Sequence, residues 1–190
     1  MSGPGPRAVF LDRDGVLNRA TVRDGKPYPP DSVAELEILP GVQKALEDLK
    51  GAGFLLLVIT NQPDVAKGKQ SREGVEAIHS NLRDQLLLDD IFVCYHVDVD
   101  ACNCRKPAPG MLEQGAAQYG LYLPDCYMVG DRWRDVDAGH RAGCRTILLD
   151  YGYSERAADN EPTARVASLK EAATWILRDA ATRTDNEITL

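Results

Sequence analysis

The feature that most constrains the fold of this chain is a repeated alternation of short apolar runs with longer amphipathic segments. Most of the apolar runs end abruptly at a polar residue or a glycine, and they cover residues 8–11, 54–59, 91–93, 127–129 and 146–149. Continuous apolar runs of this length are typical of strands that are buried on both faces of a parallel sheet. The chain is therefore predicted to contain such a sheet.

The segments between the apolar runs carry apolar residues at the spacing of a helix. They predict helices over residues 42–49, 75–86, 111–119, 135–142 and 169–177, with Ser71 as the expected N-cap of the second. Strands that alternate with helices indicate an α/β fold, here a doubly wound, mostly parallel sheet with helices on both faces.

No internal repeat, low-complexity segment or linker divides the sequence, so residues 1–182 are predicted to form a single domain. Residues 19–36, which contain three prolines, are expected to be an irregular excursion from the sheet. Residues 183–190 are expected to form a frayed tail.

Composition limits the classes of function. The 190 residues carry 22 Lys and Arg against 29 Asp and Glu, a formal net charge of −7, whereas a general nucleic-acid surface needs a basic face. The longest apolar run is far shorter than the about 20 residues of a membrane span, and no signal peptide is recognised. We therefore expect a cytoplasmic monomer that acts on a small molecule, without nucleic-acid or membrane partners.

Polar residues follow several of the predicted strands, at Asp12, Thr60, Asn61 and Asp131. Ligands of open α/β sheets bind at the carboxyl ends of the strands, so these side chains are expected to converge there. Asp12 and Asp14 form an acidic pair before a glycine that permits a sharp turn, and with Asp131 they offer the hard oxygen ligands that Mg²⁺ prefers. Taken alone, the pair is equally typical of a surface turn.

These residue types suit phosphate-ester hydrolysis. A carboxylate that attacks a phosphate is repelled by its charge, which a bound Mg²⁺ and a nearby Lys106 offset. The attack leaves an aspartyl-phosphate, and a second carboxyl can protonate the leaving alcohol and then deprotonate the incoming water. Thr60 and Asn61 can donate hydrogen bonds to the phosphoryl oxygens.

Three cysteines and a histidine lie close together in a polar stretch, at Cys94, His96, Cys102 and Cys104. Three thiolates and one imidazole form a closed tetrahedral site for structural Zn²⁺, with no open position for catalysis. A bound ion would stiffen this loop and fix the approach of the following Arg105 and Lys106. The alternative is a reduced, cysteine-rich loop without a metal.

Four segments taken together resemble the four motifs of the haloacid-dehalogenase-like (HAD) phosphatases. They are residues 12–18, 60–62, 105–107 and 130–135. The resemblance implies a Rossmannoid HAD-like fold with a minimal cap, Asp12 as nucleophile, Asp14 as general acid/base, and Thr60 and Lys106 on the phosphate. It also implies a Mg²⁺ held by Asp12, Asp131 and the backbone carbonyl of Asp14.

The cysteine-rich loop narrows the resemblance to a HAD subgroup that includes heptose-1,7-bisphosphate 7-phosphatases and histidinol-phosphate phosphatases. Residues 105–111 and 28–41 look closer to the heptose members, which implies removal of the 7-phosphate of that sugar. Histidinol phosphate or another small sugar phosphate is the alternative substrate. The chain departs from the heptose pattern at Pro63, Asp64, Val97 and Arg132, and the first two departures bear on the identity of the sugar.

Several residues near these motifs have two interpretations. Arg105 and Arg132 are candidates to bind a second anionic group of the substrate, or else form surface salt bridges. Asp135 lies one helical turn after Asp131 and is expected either to support the metal site or to cap its helix. Trp133 either stacks on the substrate or packs against the protein.

The remaining cysteines and histidines carry no comparable pattern. Cys126 and Cys144 are expected to be small buried apolar residues. His79 and His140 are expected to lie on the surface or in helix packing.

Other function classes are less favoured. A DNA-end phosphatase is disfavoured by the acidic charge, and a zinc-ribbon interaction protein by the confinement of the cluster to one loop. A HAD-like binding module without catalysis is disfavoured because the complete set of motif residues is present.

Overall fold

A computed structural model describes residues 5–188 of the chain, with side chains described to residue 183. The strands are β1 (Arg7–Leu11), β2 (Thr21–Arg23), β3 (Lys26–Tyr28), β4 (Phe54–Asn61), β5 (Asp90–Cys94), β6 (Tyr127–Gly130), β7 (Arg145–Leu149) and β8 (Ala164–Val166). Six of them form one sheet in the order β5-β4-β1-β6-β7-β8, with every pairing parallel, and β2 and β3 form a separate antiparallel hairpin.

Helices cover both faces of the sheet. They are α1 (Val42–Gly51), α2 (Arg72–Gln85), α3 (Gly110–Tyr119), α4 (Trp133–Ala142) and α5 (Leu169–Ile188). Successive residues of a strand point to opposite faces, so Val9 and Leu11 of β1 enter the core formed with α1, α2 and α5. Ala8 and Phe10 enter the second core, formed with α3 and α4. The predicted doubly wound α/β fold is therefore confirmed.

The strand order reverses next to β1. The chain adds β4 and β5 on one side of β1 and then crosses to β6 on the other side. Such a reversal opens a crevice at the carboxyl ends of the central strands. The N–H of Asp12 donates to the carbonyl of Val129 at 2.9 Å, which joins the ends of β1 and β6 at this point.

The structure differs from the sequence-based expectations at the periphery. The excursion contains the β2–β3 hairpin, and β8 was not expected; these strands are only three residues long and carry no continuous apolar run. The last helix continues past residue 177 to Ile188, so part of the expected frayed tail is helical. Residues 189 and 190 lie outside the described residues.

Other local predictions are confirmed. The hydroxyl oxygen of Ser71 accepts the N–H of Gly74 at 3.0 Å and so caps α2. Cys126 and Cys144 are buried in the second core. Among the helices of residues 5–188, none combines the length and the apolar content that a membrane crossing requires.

Candidate active site

Four charged side chains meet at the carboxyl ends of β1 and β6, and we call Asp12, Lys106, Asp131 and Asp135 the strand-end cluster. All four are buried, with exposures of 8%, 2%, 4% and 2%. The Lys106 ammonium donates to Oδ1 of Asp12 at 2.7 Å and to the carbonyl of Ile59 at 2.9 Å. It also lies 2.6 Å from Oδ1 of Asp135. The predicted convergence is therefore observed for Asp12 and Asp131, and Lys106 lies with them.

Burial perturbs the charges of this cluster. It raises the pKa of Asp12 to about 6, against the opposing effect of Lys106. Burial also raises the pKa of Asp131 well above its usual range, and the neighbouring charges of Asp12 and Asp135 raise it further. For Lys106, burial favours the neutral amine, but Asp12 and Asp135 outweigh it and raise the pKa. Asp12 and Asp135 thus share the Lys106 ammonium, and Asp131 lies beside them without contacting it.

This donor set fits a divalent cation. Asp12, Asp131 and Asp135 each offer a carboxylate oxygen, and these oxygens all lie within 4.8 Å of one another. Within the described part of the chain, Oδ1 of Asp131 is buried and has no hydrogen-bond partner. Buried carboxylate oxygens that lack donors are the hard ligands that Mg²⁺ prefers, and its charge would offset their mutual repulsion.

Asp135 has a double role in the structure. Its Oδ2 accepts the N–H of Arg132 at 3.0 Å, which caps α4. Its Oδ1 contacts the Lys106 ammonium. The capping prediction is confirmed, and the same carboxylate also belongs to the strand-end cluster.

Gly15 allows the loop after β1 to pass directly over Asp131. Its backbone has a φ of +85°, and a Cβ built at this position would lie 1.9 Å from Oδ2 of Asp131. The sharp turn expected from the sequence is present. Position 15 must lack a side chain, because a side chain there would collide with Asp131, the candidate metal ligand.

Asp14 is held by an unusually complete set of donors. Arg13 donates to it through Nε at 3.1 Å and through Nη2 at 3.0 Å. Asn18 and Gln62 each donate to it through a side-chain amide at 2.9 Å. The carboxylate is 16% exposed and lines the same cavity as Asp12. Sequence reasoning assigned no role to Arg13, Asn18 or Gln62, although all three lie inside the motif segments.

Thr60 and Asn61 occupy the end of β4. The hydroxyl oxygen of the buried Thr60 accepts from Gln62 at 2.8 Å, so its proton is available for another acceptor. The Asn61 amide bonds both peptide groups of Lys106, accepting its N–H at 3.1 Å and donating to its carbonyl at 3.0 Å. Asn61 therefore holds Lys106 in place, and its expected direct contact with phosphate stays a prediction.

An open cavity of about 220 Å³ lies above Asp12 and Asp14. The expected substrate-binding arginines both line it, and both have carboxylate partners: Nε of Arg105 donates to Asp98 at 2.7 Å, and Nε of Arg132 donates to Glu155 at 2.9 Å. Further cationic side chains on the wall, which the sequence did not single out, are Lys26, Lys67 and Arg134.

The second metal-ligand candidate is the Cys–His loop, residues 94–104. The thiol sulfurs of Cys94, Cys102 and Cys104 lie 3.0–3.7 Å apart. Nδ1 of His96 lies 3.6 Å from the sulfur of Cys94 and 3.3 Å from that of Cys104. Tetrahedral Zn²⁺ with bonds of about 2.3 Å to sulfur needs ligand atoms at roughly these separations. All four predicted ligands are therefore together and fit one ion.

The Cys–His loop is tied to the cavity through Asp98. This carboxylate accepts from Arg105 and, through both oxygens, from Arg134 at 3.0 and 3.2 Å. Arg134 in turn donates to the carbonyl of Lys106 at 3.2 Å. The loop thus reaches the backbone of the lysine that contacts Asp12.

The segment after β7 supplies contacts that the sequence did not predict. Tyr153 donates its hydroxyl proton to Oδ2 of Asp131 at 3.0 Å, and Tyr151 donates to the carbonyl of Gly15 at 3.0 Å. Two tyrosines in a polar segment were the available signal, but nothing in the sequence assigned them partners. The guanidinium groups of Arg134 and Arg156 both lie over the ring of Trp133, 4.6 and 3.5 Å from its centroid.

Comparison with known proteins places these motifs in a family. A HAD-hydrolase-like family model matches residues 103–172. A D-glycero-beta-D-manno-heptose-1,7-bisphosphate 7-phosphatase of Bordetella bronchiseptica is 36% identical over 151 residues, which cover 77% of this chain and 82% of that protein. A D-glycero-D-manno-heptose-1,7-bisphosphate 7-phosphatase of Thermosynechococcus vestitus is 30% identical, with 93% of this chain and 98% of that protein covered.

The fold is also similar to that of a solved heptose bisphosphate phosphatase. The crystal structure of D,D-heptose 1,7-bisphosphate phosphatase from B. bronchiseptica, complexed with magnesium and phosphate, aligns with a TM-score of 0.77 at 30% identity. The alignment covers 92% of this chain and 99% of that one. The chain therefore belongs to the HAD-like phosphatases, within the family of the D-glycero-D-manno-heptose-1,7-bisphosphate 7-phosphatases.

Proposed function

We propose that this chain is a Mg²⁺-dependent phosphomonoester hydrolase that removes the 7-phosphate of D-glycero-D-manno-heptose 1,7-bisphosphate. The observation that carries the reaction class is the buried Asp12 carboxylate, 2.7 Å from the Lys106 ammonium at the floor of an open cavity. The substrate follows from the relatives named for this activity. The enzyme is expected to act as a cytoplasmic monomer, without nucleic-acid or membrane partners.

The chemistry divides between two aspartates. A carboxylate oxygen of Asp12 attacks phosphorus, the bond from phosphorus to the sugar oxygen breaks, and Asp14 gives its proton to that oxygen. Asp14 then takes a proton from water, which attacks the aspartyl-phosphate and releases inorganic phosphate. Lys106 and the Thr60 hydroxyl bind the phosphoryl oxygens during both steps.

Asp12 and Asp131 are the proposed side-chain ligands of Mg²⁺, together with the backbone carbonyl of Asp14. The buried, unpaired Oδ1 of Asp131 supports this assignment. When bound, Mg²⁺ offsets the negative charge that the phosphoryl group and the carboxylates bring together. Asp135 stays beside the site and keeps Lys106 in place.

Cys94, His96, Cys102 and Cys104 are the proposed ligands of a structural Zn²⁺. The segment between the two ligand pairs contains little apolar surface to bury, and Val99 within it is 88% exposed. A closed site there would hold the loop, and through Asp98 and Arg134 the backbone of Lys106.

Arg105 and Arg132 are proposed to bind the second phosphate of the bisphosphate. Both line the cavity, as do Pro63 and Asp64, the two departures from the heptose pattern that bear on the identity of the sugar. An arginine that exchanges a carboxylate partner for a phosphate keeps a negatively charged acceptor, so the charge-assisted pairing is retained.

The test is phosphate release in the presence of Mg²⁺ from both anomers of heptose 1,7-bisphosphate, with histidinol phosphate in parallel. We expect a large kcat/KM advantage for one heptose anomer. A preference for histidinol phosphate would overturn the substrate assignment. Weak, similar rates on all three substrates would support the phosphatase chemistry but not the heptose assignment. Other sugar phosphates would then be tested as substrates.

A further inference from the structure

Arg13 is a fully buried cation with two partners. The guanidinium group has 0% exposure, and its Nε and Nη2 edge faces the Asp14 carboxylate. At the other end of the group, Nη1 lies 3.1 Å from Nε2 of His79, which is also fully buried. A buried guanidinium needs acceptors for its donors, and here they come from one carboxylate and one imidazole.

The contact with Arg13 determines the tautomer of the His79 imidazole. A guanidinium has donors only, so Nε2 of His79 must accept, and the ring proton lies on Nδ1. Burial, together with the neighbouring Arg13 charge, lowers the pKa of His79 to about 4, which keeps the ring neutral. Nδ1 lies 3.5 Å from Oε1 of Glu76 and makes no hydrogen bond within the described residues, while the Glu76 carboxylate accepts from the Tyr95 hydroxyl.

We propose that His79 is a positioning residue, which holds Arg13 so that Arg13 fixes the Asp14 carboxylate for proton transfer. The chain of contacts runs from Glu76 of α2 through His79 and Arg13 to Asp14. The inference rests on the proposed acid/base role of Asp14. His79 does not line the cavity and is separated from it by Arg13 and Asp14, so it acts through them.

The geometry explains why Arg13 needs a second partner. A guanidinium that is bonded to a carboxylate through one edge only can still rotate. The carboxylate bonded to it then rotates as well. His79 fixes the far end of the group, from a helix packed on the sheet. Asn18 and Gln62 hold the carboxylate itself at 2.9 Å, so the loss of His79 should displace Asp14 without releasing it.

The experiment compares two leaving groups. An alcohol must be protonated as it leaves, whereas p-nitrophenolate leaves with little help from an acid. The value of kcat/KM reports the steps up to formation of the phosphoenzyme, in which Asp14 acts as acid. It is measured for the best sugar phosphate from the phosphate-release assay and for p-nitrophenyl phosphate.

His79→Leu removes the acceptor and is expected to lower kcat/KM for the sugar phosphate about 10–100-fold, but for p-nitrophenyl phosphate less than about threefold. His79→Gln retains an acceptor and should restore most of the sugar-phosphate activity. Arg13→Lys keeps the positive charge but removes the planar guanidinium that joins Asp14 to His79. It should show the same selective loss of sugar-phosphate activity as His79→Leu. This variant tests the proposal even if His79→Leu does not fold. The control is His140→Leu, an exposed histidine on α4, which should change neither value.

Equal losses on both substrates, or no loss on either, would overturn the positioning role of His79. Asp14→Asn separates this outcome from a failure of the proposed function. If Asp14→Asn is selective and both His79→Leu and Arg13→Lys are not, only the positioning inference fails. If Asp14→Asn shows no dependence on the leaving group, the acid role fails and the inference falls with it.

Discussion

The strand-end cluster and the Cys–His loop both gather ligands for a metal ion, but they are built in opposite ways. The ligands of the first come from the ends of strands that are distant in sequence, and the parallel sheet brings them together. The ligands of the second lie within residues 94–104, from the last residue of β5 through the loop that follows it. The strand-end cluster is therefore held by the fold, whereas the Cys–His loop depends on its own ligands to keep its shape.

The strand-end cluster and the Cys–His loop also differ in how deeply their charged groups are buried. Burial raises the pKa of Asp12 and of Asp131, and neighbouring aspartates raise both further, so the sheet holds acidic groups where their charged forms are disfavoured. The loop contains no comparable buried charge between its ligand pairs, and Asp98 there has a side chain that is 63% exposed. We therefore expect changes in the first region to affect chemistry and changes in the second to affect stability.

The largest effect is expected from Asp12→Asn, which removes the nucleophile while preserving its shape. Turnover should fall below about 1% of the original rate, since an amide does not form the phosphoenzyme. Circular dichroism and thermal unfolding should show an intact fold, because Lys106 retains its contact with Asp135. Turnover above that level would exclude Asp12 as the nucleophile.

Gly15→Ala tests the contact between the loop after β1 and Asp131. The new Cβ would strain a backbone at φ +85° and displace the Asp131 carboxylate, 1.9 Å away. Misplacement of a catalytic group by about 1 Å can cost about 100-fold in rate, so kcat/KM should fall about 10–100-fold, with weaker Mg²⁺ binding by calorimetry.

Gly53→Ala is a matched control for that substitution. Gly53 has a φ of +83°, and a Cβ there meets nothing within 4 Å. Both variants should lose about 1–2 kcal/mol of stability from the left-handed backbone. Only Gly15→Ala should lose activity, and equal activities would show that the strand-end cluster tolerates displacement of Asp131.

Cys102→Ser is expected to act mainly on stability. Loss of one ligand should lower the zinc content measured by atomic absorption, and a loss of about 3 kcal/mol would lower Tm by about 6–12 °C. The activity of the remaining folded enzyme should fall only severalfold. Cys126→Ala, a buried cysteine outside the loop, should lower stability through packing and leave the zinc content unchanged. Unchanged zinc in Cys102→Ser would refute the ligand set.

The same contrast explains what the sequence could predict. Asp12 and Asp131 follow apolar runs, and strand ends converge by rule, so their meeting was predictable. The Cys–His cluster was predictable because its ligands are neighbours in sequence. The contact of Arg13 with His79 spans 66 residues, and that of Asp131 with Tyr153 spans 22. Neither has a local pattern, because tertiary packing alone brings the partners together.

The smallest effect is expected where the two regions meet, at Asp98. Asp98→Asn removes the charge that accepts from Arg105 and Arg134 but keeps the shape of the side chain. Exposed ion pairs contribute about 0–1 kcal/mol, so we expect Tm to change by no more than about 4 °C and kcat/KM by less than about threefold.

Asp48→Asn, which breaks the Lys44 pair on α1, is the control for the loss of an exposed pair whose residues do not line the cavity. A tenfold loss of kcat in Asp98→Asn alone would contradict the comparison. Such a loss would mean that the ion pairs of Asp98, and not the four metal ligands of the Cys–His loop, fix the position of the loop relative to Lys106. A small and equal effect in the two variants would instead place the rigidity of the loop in its metal-ligand cluster.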